Sequence, residues 1–172
     1  GFDGLARIVV GQQLSIQSAT AIWARVEALA TPLTPKAILR ATDDQLRAAG
    51  LSRGKILTLR AAAEAVAGGL ALDALHGQSE EEIHDALTAV RGIGPWTADI
   101  YIMFCLGRAD AFAGGDLALQ IAAQRAFALS DRPSALELVE LAERWRPWRG
   151  VAARLLWSYY AHLKELRSSE PV

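Results

Sequence analysis

The sequence predicts an all-α fold, and three observations carry that prediction. Hydrophobic residues make up 52% of the chain; alanine and leucine dominate, and β-branched runs are few, which favours helix over strand. Apolar residues recur at helical spacing, as in Ala19, Ile22, Trp23, Val26 and Leu29. Hydroxyl residues stand just ahead of several such runs, twice with Glu or Gln three positions on, the mark of a capped helix start. A chain of 172 residues makes one domain, or at most two small lobes, around a substantial core.

Phe2 to Val10 reads as a short apolar helix, followed by a polar interruption at Gly11-Gln12-Gln13-Leu14-Ser15. Ser15 is placed to cap the next helix, which carries the Ala19 to Leu29 stripe. Thr31-Pro32-Leu33-Thr34-Pro35 is a linker, its prolines breaking the helix, and Pro35 opens a short helix to Leu39. Thr42 and Gln45 have the spacing of a capping box whose helix ends by Gly50. Ser52 begins a helix through Ala67, with Ile56, Leu59, Ala63 and Val66 on one face. Arg53 and Lys55 sit at its positive dipole end, a conflict that a neighbouring polyanion would relieve. Leu70 to Leu75 is a connection, and the Ser79/Glu82 capping box starts a helix running to Val90.

Val90-Arg91-Gly92-Ile93-Gly94-Pro95-Trp96-Thr97-Ala98-Asp99 organises the chain. Glycines flanking Ile93 let the backbone turn its N–H groups outward, with no Cβ to block an approaching anion. Pro95 suits the first turn of the helix from Trp96 to Leu106, whose open N-terminus adds unpaired donors and a positive dipole end. The natural guest is a phosphate, although a bare Gly-x-Gly-Pro is also an ordinary helix connection. Downstream, Asp110 to Asp116 is a glycine-bearing loop that delivers Asp116, itself well placed to cap the helix Leu117 to Phe127. Ser130 to Pro133 breaks the chain, Ser134 to Trp145 forms a helix, and Arg144-Trp145-Arg146-Pro147-Trp148-Arg149 is a compact Trp/Arg segment. The last helix runs Val151 to Leu166 with Trp157 and Tyr160, leaving Ser168 to Val172 frayed.

Composition narrows the partners. Eighteen basic against nineteen acidic residues give a net charge of −1, which argues against a broad basic face but leaves room for a local footprint of amides and a few arginines. No apolar stretch reaches membrane length without a polar break and no signal peptide is visible, so no membrane partner is expected. The opening Gly1-Phe2-Asp3 is expected of a fragment or processed chain. Cys105 is the single cysteine and the histidines His76, His84 and His162 are scattered, so no disulfide and no metal site is expected.

The hairpin, the Thr97-Ala98-Asp99 after it and Asp116 beyond it together resemble the helix-hairpin-helix (HhH-GPD) family of DNA base-excision glycosylases. Within it the chain is most similar to the alkylation-repair branch, the 3-methyladenine DNA glycosylase II type, over about Phe2 to His162. The resemblance implies a single two-lobed all-α domain over 1–172, with the helix-hairpin-helix at about 80–107 and without the β-rich N-terminal lobe of the larger relative. One cysteine rules out the four-cysteine iron–sulfur branch, and no cofactor is required.

By that resemblance Asp116 is the catalytic residue, stabilising an oxocarbenium-like sugar, handling the attacking water, or both. Trp96, Trp157 and Tyr101 line the base pocket, where electron-rich faces attract a cationic base. Gly92, Ile93, Gly94 and Thr97 hold a phosphate, with room for a bridging monovalent cation. Arg149 stands near a phosphate too, although support of the catalytic loop is the main role of its Trp/Arg segment. Gln13 first, Leu14 second, fills the gap left by a flipped base. The family loop contains proline where this one has Gly114 and Gly115 alone, which puts its stiffness in question. Trp96 occupies the position of the lysine that strand-cutting members use, so no lyase step is expected. The implied activity is excision of alkylated purines from double-stranded DNA by a monomer, cytoplasmic and nucleoid-associated if bacterial. A non-catalytic protein binding damaged DNA and an all-helical interaction domain are the alternatives.

Overall fold

The computed structural model describes the backbone of residues 1–169 and the side chains of residues 1–165. Two compact units divide at the Leu106/Gly107 junction, and each has its own core. Every regular element among the described residues is helical.

The first unit, Gly1–Leu106, is built on α1 (Phe2–Gly11). Its Leu5, Ala6, Val9 and Val10 are fully buried because α2 (Ile16–Glu27), α5 (Arg53–Ala67) and α7 (Pro95–Phe104) all pack on it. Burial of one such aliphatic side chain stabilises by about 1.5 to 3 kcal/mol, so α1 contributes more to this unit than any of its caps. The short helices α3 (Pro35–Arg40) and α4 (Asp43–Ala48) lie against α5, and α6 (Glu80–Thr88) lies against α7. Caps set the starts as expected at Ser15 and Ser52, whose side chains each accept a backbone N–H, and at Thr42/Gln45 and Ser79/Glu82, which form reciprocal capping boxes; Thr34, read as linker, also caps α3.

The second unit begins at Gly107. In it α8 (Leu117–Ala126) packs between α9 (Ala135–Ala142) and α10 (Arg149–Ser169). Leu119, Ala122, Ala123, Leu138, Ala142, Ala153 and Leu156 form the core. Small residues predominate, so the α8 backbone can approach its neighbours closely.

Several boundaries differ from expectation for physical reasons. The α6 helix stops at Thr88 and not Val90, because the Val90 carbonyl is taken by the Ile93 N–H in the hairpin turn. The stretch expected as helix from Ser134 to Trp145 turns 3₁₀ at Glu143–Trp145, since Arg146, ahead of Pro147, is steered to extended backbone. The expected connection at Leu70 to Leu75 includes a 3₁₀ turn, Leu72–Gly77, that buries Leu72 and Leu75. Helix α10 extends to Ser169, and the rest of the end expected to fray, 170–172, lies outside the described residues. No described helix is long and apolar enough to cross a membrane.

Candidate functional site

The site residues fall into two groups, one in each unit. In the first unit, α6 and α7 are joined by the Gly92-Ile93-Gly94 hairpin. Gly92 has φ +86°, and a Cβ there would collide with the Thr58 hydroxyl of α5. Glycine is required twice over, by backbone conformation and by space. Gly94 differs from expectation: its φ of −100° is ordinary extended backbone at the N-cap of α7, with open space around it. Among the described residues neither glycine amide donates a hydrogen bond, and Pro95 at the first position of α7 adds no competing donor. Both amides lie at or beside the N-terminus of α7, where unpaired donors and the positive dipole end suit an anion.

Ile93 and Thr97 do not belong to the face that could meet DNA. Ile93 is 4% exposed, with its amide bonded to Val90. Its side chain anchors the hairpin in the core. Thr97 is 2% exposed, and its hydroxyl accepts a 2.8 Å hydrogen bond from Gln12 Nε2. It staples the polar loop after α1 to the start of α7. The sequence reading overlooked Gln12 because its partner lies 85 residues away.

That staple holds a tight turn in which the Leu14 N–H returns to the Gly11 carbonyl. Gln13, at φ 56°, occupies the left-handed corner and is exposed, with Leu14 38% and Ile16 88% exposed beside it. A residue with a long side chain is rarely found at positive φ. Lys55 resolves its dipole conflict without a polyanion. Its Nζ donates to the Val10 carbonyl at 2.7 Å, at the negative end of α1, and burial lowers its pKa. Arg53 stays exposed.

Asp99 faces α6, its Oδ1 3.9 Å from His84 Nε2. Burial, reinforced by the Glu80 charge, pushes its pKa up to about 7. Tyr101, expected in the base pocket, is 0% exposed and therefore presents no surface to a base. Its hydroxyl has no hydrogen-bond partner among the described residues, and burial raises its pKa to about 12, with the charges of Cys105 and Asp73 adding to the shift. Trp96, the second residue of α7, is half-buried.

In the second unit, Asp116 is the N-cap of α8, and its Oδ1 accepts the Leu119 N–H at 3.0 Å. The same oxygen accepts Trp157 Nε1–H from α10 at 3.0 Å. Asp116 is half-buried between exposed Gly115 and Leu117. The loop has packing and hydrogen bonds in place of proline. A Cβ on Gly114 would stand 2.6 Å from Val139 and 2.8 Å from the Ala135 carbonyl of α9, so glycine lets the loop lie directly on that helix. Gln120 Nε2 donates to the Gly114 carbonyl at 3.1 Å, and the Asp116 N–H to Ala113 at 2.9 Å.

The Trp/Arg segment braces the beginning of this loop. Trp145 packs on Phe112 with ring centroids 6.1 Å apart, and the Gly150 N–H donates to Ala109 at 2.8 Å. Arg149 is 7% exposed, and its guanidinium is engaged by Asp110 and Glu143, each at 3.0 Å. Arg146 adds a second bond to Asp110 at 2.6 Å. Burial alone would raise the Asp110 pKa, but hydrogen bonds and charge from Arg149, with the Arg146 charge, hold it below its ordinary value. Two carboxylates thus occupy the side chain expected near a phosphate, and Arg149 is an internal brace.

The chain is similar to known proteins over most of its length. A family model described as HhH-GPD superfamily base excision DNA repair protein matches residues 6–147, which include both the hairpin and Asp116. DNA-3-methyladenine glycosylase 1 of Schizosaccharomyces pombe is 31% identical over 161 residues, 91% of this chain and 71% of that protein. A solved 3-methyladenine DNA glycosylase from S. pombe, in complex with abasic DNA, matches with a TM-score of 0.85 at 31% identity, covering 91% of this chain and 78% of that one. A DNA-3-methyladenine glycosidase from Bacillus halodurans matches with a TM-score of 0.80 at 35% identity, covering 95% of this chain and 77% of that one. With the hairpin, the capping aspartate and the match across both units, the chain belongs to the HhH-GPD superfamily of base excision DNA repair proteins.

Proposed function

We propose that the chain is a monofunctional DNA glycosylase that removes alkylated purines, of the 3-methyladenine and 7-methylguanine class, from double-stranded DNA. The observation that carries this reading is the Asp116 carboxylate, held on one oxygen by two N–H donors and set between exposed residues at the N-terminus of α8. The names of the relatives support the substrate class.

The chemistry needs little more than this carboxylate. An N3- or N7-alkylated purine is already cationic. The C1′–N glycosidic bond breaks with its electron pair going to the base, which leaves neutral without being protonated by the enzyme. The second carboxyl of ordinary sugar hydrolysis is unnecessary. Positive charge develops on the sugar, where Asp116 stabilises it. Water then bonds to C1′ and loses a proton to Asp116 or solvent, giving an abasic site and the free base. Trp96 follows the hairpin and offers no amine for a Schiff base, so the strand stays intact.

The hairpin amides of Gly92 and Gly94 are suited to a phosphate, and a monovalent cation would bridge the two. Such contacts fix register and carry no base information. Gln13, exposed at φ 56°, is the side chain we assign to fill the space of a flipped nucleotide, with Leu14 as the second candidate. All of these groups come from one chain, and the enzyme is read as a monomer, cytoplasmic and nucleoid-associated if bacterial.

The test is release of free base from methylated duplex DNA, with strand breaks scored before and after alkali. The expected result is release with breaks only after alkali. Tight binding of an abasic-analogue duplex without release would leave a damage-binding protein; breaks before alkali would show a lyase.

A further inference from the structure

We propose that Gln12 is a positioning residue for Gln13, fixing through its bond to Thr97 where that side chain stands relative to the Gly92-Ile93-Gly94 hairpin. The assignment rests on the glycosylase reading above and on the role given there to Gln13. Every group involved lies in the first unit.

The turn after α1 sets the direction of Gln13. Gln12, at φ −50° and ψ 131°, is followed by Gln13 at φ 56°, and the Leu14 N–H closes on the Gly11 carbonyl at 3.2 Å. These are the features of a type II turn, whose third position favours glycine. Gln13 stands there and is exposed, so the turn aims a polar side chain outward at a cost in backbone strain. Turn type does not fix its distance from the hairpin.

That distance is fixed by contacts from other helices. Lys55 Nζ on α5 holds the entry to the turn through the Val10 carbonyl at 2.7 Å, and the exit is held where Ser15 accepts the Ser18 N–H at 3.2 Å. Between them, Gln12 Nε2 donates to Thr97 Oγ1 at 2.8 Å, the one side-chain hydrogen bond from residues 11–14 to a helix among the described residues. Thr97 is 2% exposed, so water competes poorly for this bond. Its own N–H donates to the Gly94 carbonyl at 3.0 Å. Hydrogen bonds thus run from the hairpin through Thr97 to the residue before Gln13, and a phosphate held at the hairpin shares one frame with the side chain that fills the gap. Gln12 therefore serves the extrusion of a paired base, and not the bond broken at C1′.

The experiment uses a duplex with a single 7-methylguanine, placed opposite cytosine or opposite an abasic analogue, where no base pair has to be broken. Base release is measured in single turnover with saturating enzyme. Gln12→Met keeps side-chain length and removes the donor; Thr97→Val keeps shape and removes the acceptor; Thr97→Ser retains the hydroxyl. One neutral hydrogen bond is worth roughly 2- to 10-fold in a rate. We expect Gln12→Met and Thr97→Val each to slow release opposite cytosine by that factor, with no loss opposite the abasic analogue and the parent rate in Thr97→Ser. Neither should slow release further when added to Gln13→Ala. Equal losses on both duplexes, a further loss on top of Gln13→Ala, or the parent rate in Gln12→Met while Gln13→Ala is slow would overturn the assignment alone. The parent rate in Gln13→Ala opposite cytosine would overturn the role of Gln13 and this assignment with it. Failure of the unsubstituted chain to release base would overturn the glycosylase reading, and is scored first.

Discussion

At the scale of single residues, the site is made by exceptions to ordinary backbone and burial rules. Gly92 combines positive φ with contact against Thr58. Gly92→Ala is expected to destabilise the chain by about 1 to 3 kcal/mol in urea unfolding. Adding Thr58→Ala should recover the steric part only; full recovery would show that φ carries no strain. Gln13 makes the opposite exchange, holding a left-handed backbone with a side chain that disfavours it. Gln13→Gly should stabilise by up to about 1 kcal/mol and slow base release, since stability and plug are in conflict at one position.

Asp99 supplies a pH dependence. Its folded pKa of about 7 lies above the ordinary value of 3.8, so the native state binds the proton more tightly than the unfolded chain does. Stability from this group is full at low pH, falls as pH rises through the interval from about 4 to 7, and is flat above it. Asp99→Asn should flatten that fall and raise stability at pH 8, read from denaturation midpoints across pH. A fall of unchanged size in the variant would place its origin elsewhere. The sequence showed Gly92 and Asp99 within one motif, but the reasons they matter, Thr58 and burial against α6, come from other helices and were not legible.

At the scale of elements, many helix starts were legible because they are decided by residues three apart, as in Thr42/Gln45 and Ser79/Glu82. Ends and braces were not. Arg149 in a Trp/Arg segment reads equally as a phosphate ligand or a brace, and only its distances to Asp110 and Glu143 decide. Arg149 is buried, but Asp110 and Glu143 are 23% and 50% exposed, so water re-solvates them when the guanidinium is lost and the main cost is the brace itself. Arg149→Ala should therefore lower stability by about 1 to 3 kcal/mol, while the salt dependence of duplex binding stays unchanged, as measured by titration at several salt concentrations. A shallower salt slope would restore a phosphate contact. The acid loop teaches the same lesson. Its stiffness was in question without proline, and the contacts that brace it, Gly114 lying on α9 and the Gln120 bond, are ones no local pattern announces.

At the scale of the whole molecule, the all-α class and the placement of hairpin and acid were legible from composition, periodicity and motif order. The roles of individual side chains were less so. Tyr101 has the same aromatic signature as Trp96, but its complete burial puts it in the core. Gln12 looked like the lesser of two adjacent glutamines and is the one that ties its loop to α7. If the hairpin amides hold the phosphate as proposed, a near-neutral chain is expected to recognise DNA by what can be flipped and cleaved, with little help from net charge.

The central claim is that Asp116 performs the chemistry and does not merely cap α8. Asparagine keeps an oxygen able to accept the Leu119 and Trp157 N–H groups while removing the negative charge. The deciding measurement is the single-turnover rate of base release from methylated duplex by Asp116→Asn against the parent chain, with affinity for an abasic-analogue duplex measured on the same samples. The account predicts a loss of at least about 100-fold in rate, on the scale of removing one preorganised electrostatic group, with the fold and duplex binding retained. Release at the parent rate by the asparagine variant would contradict it.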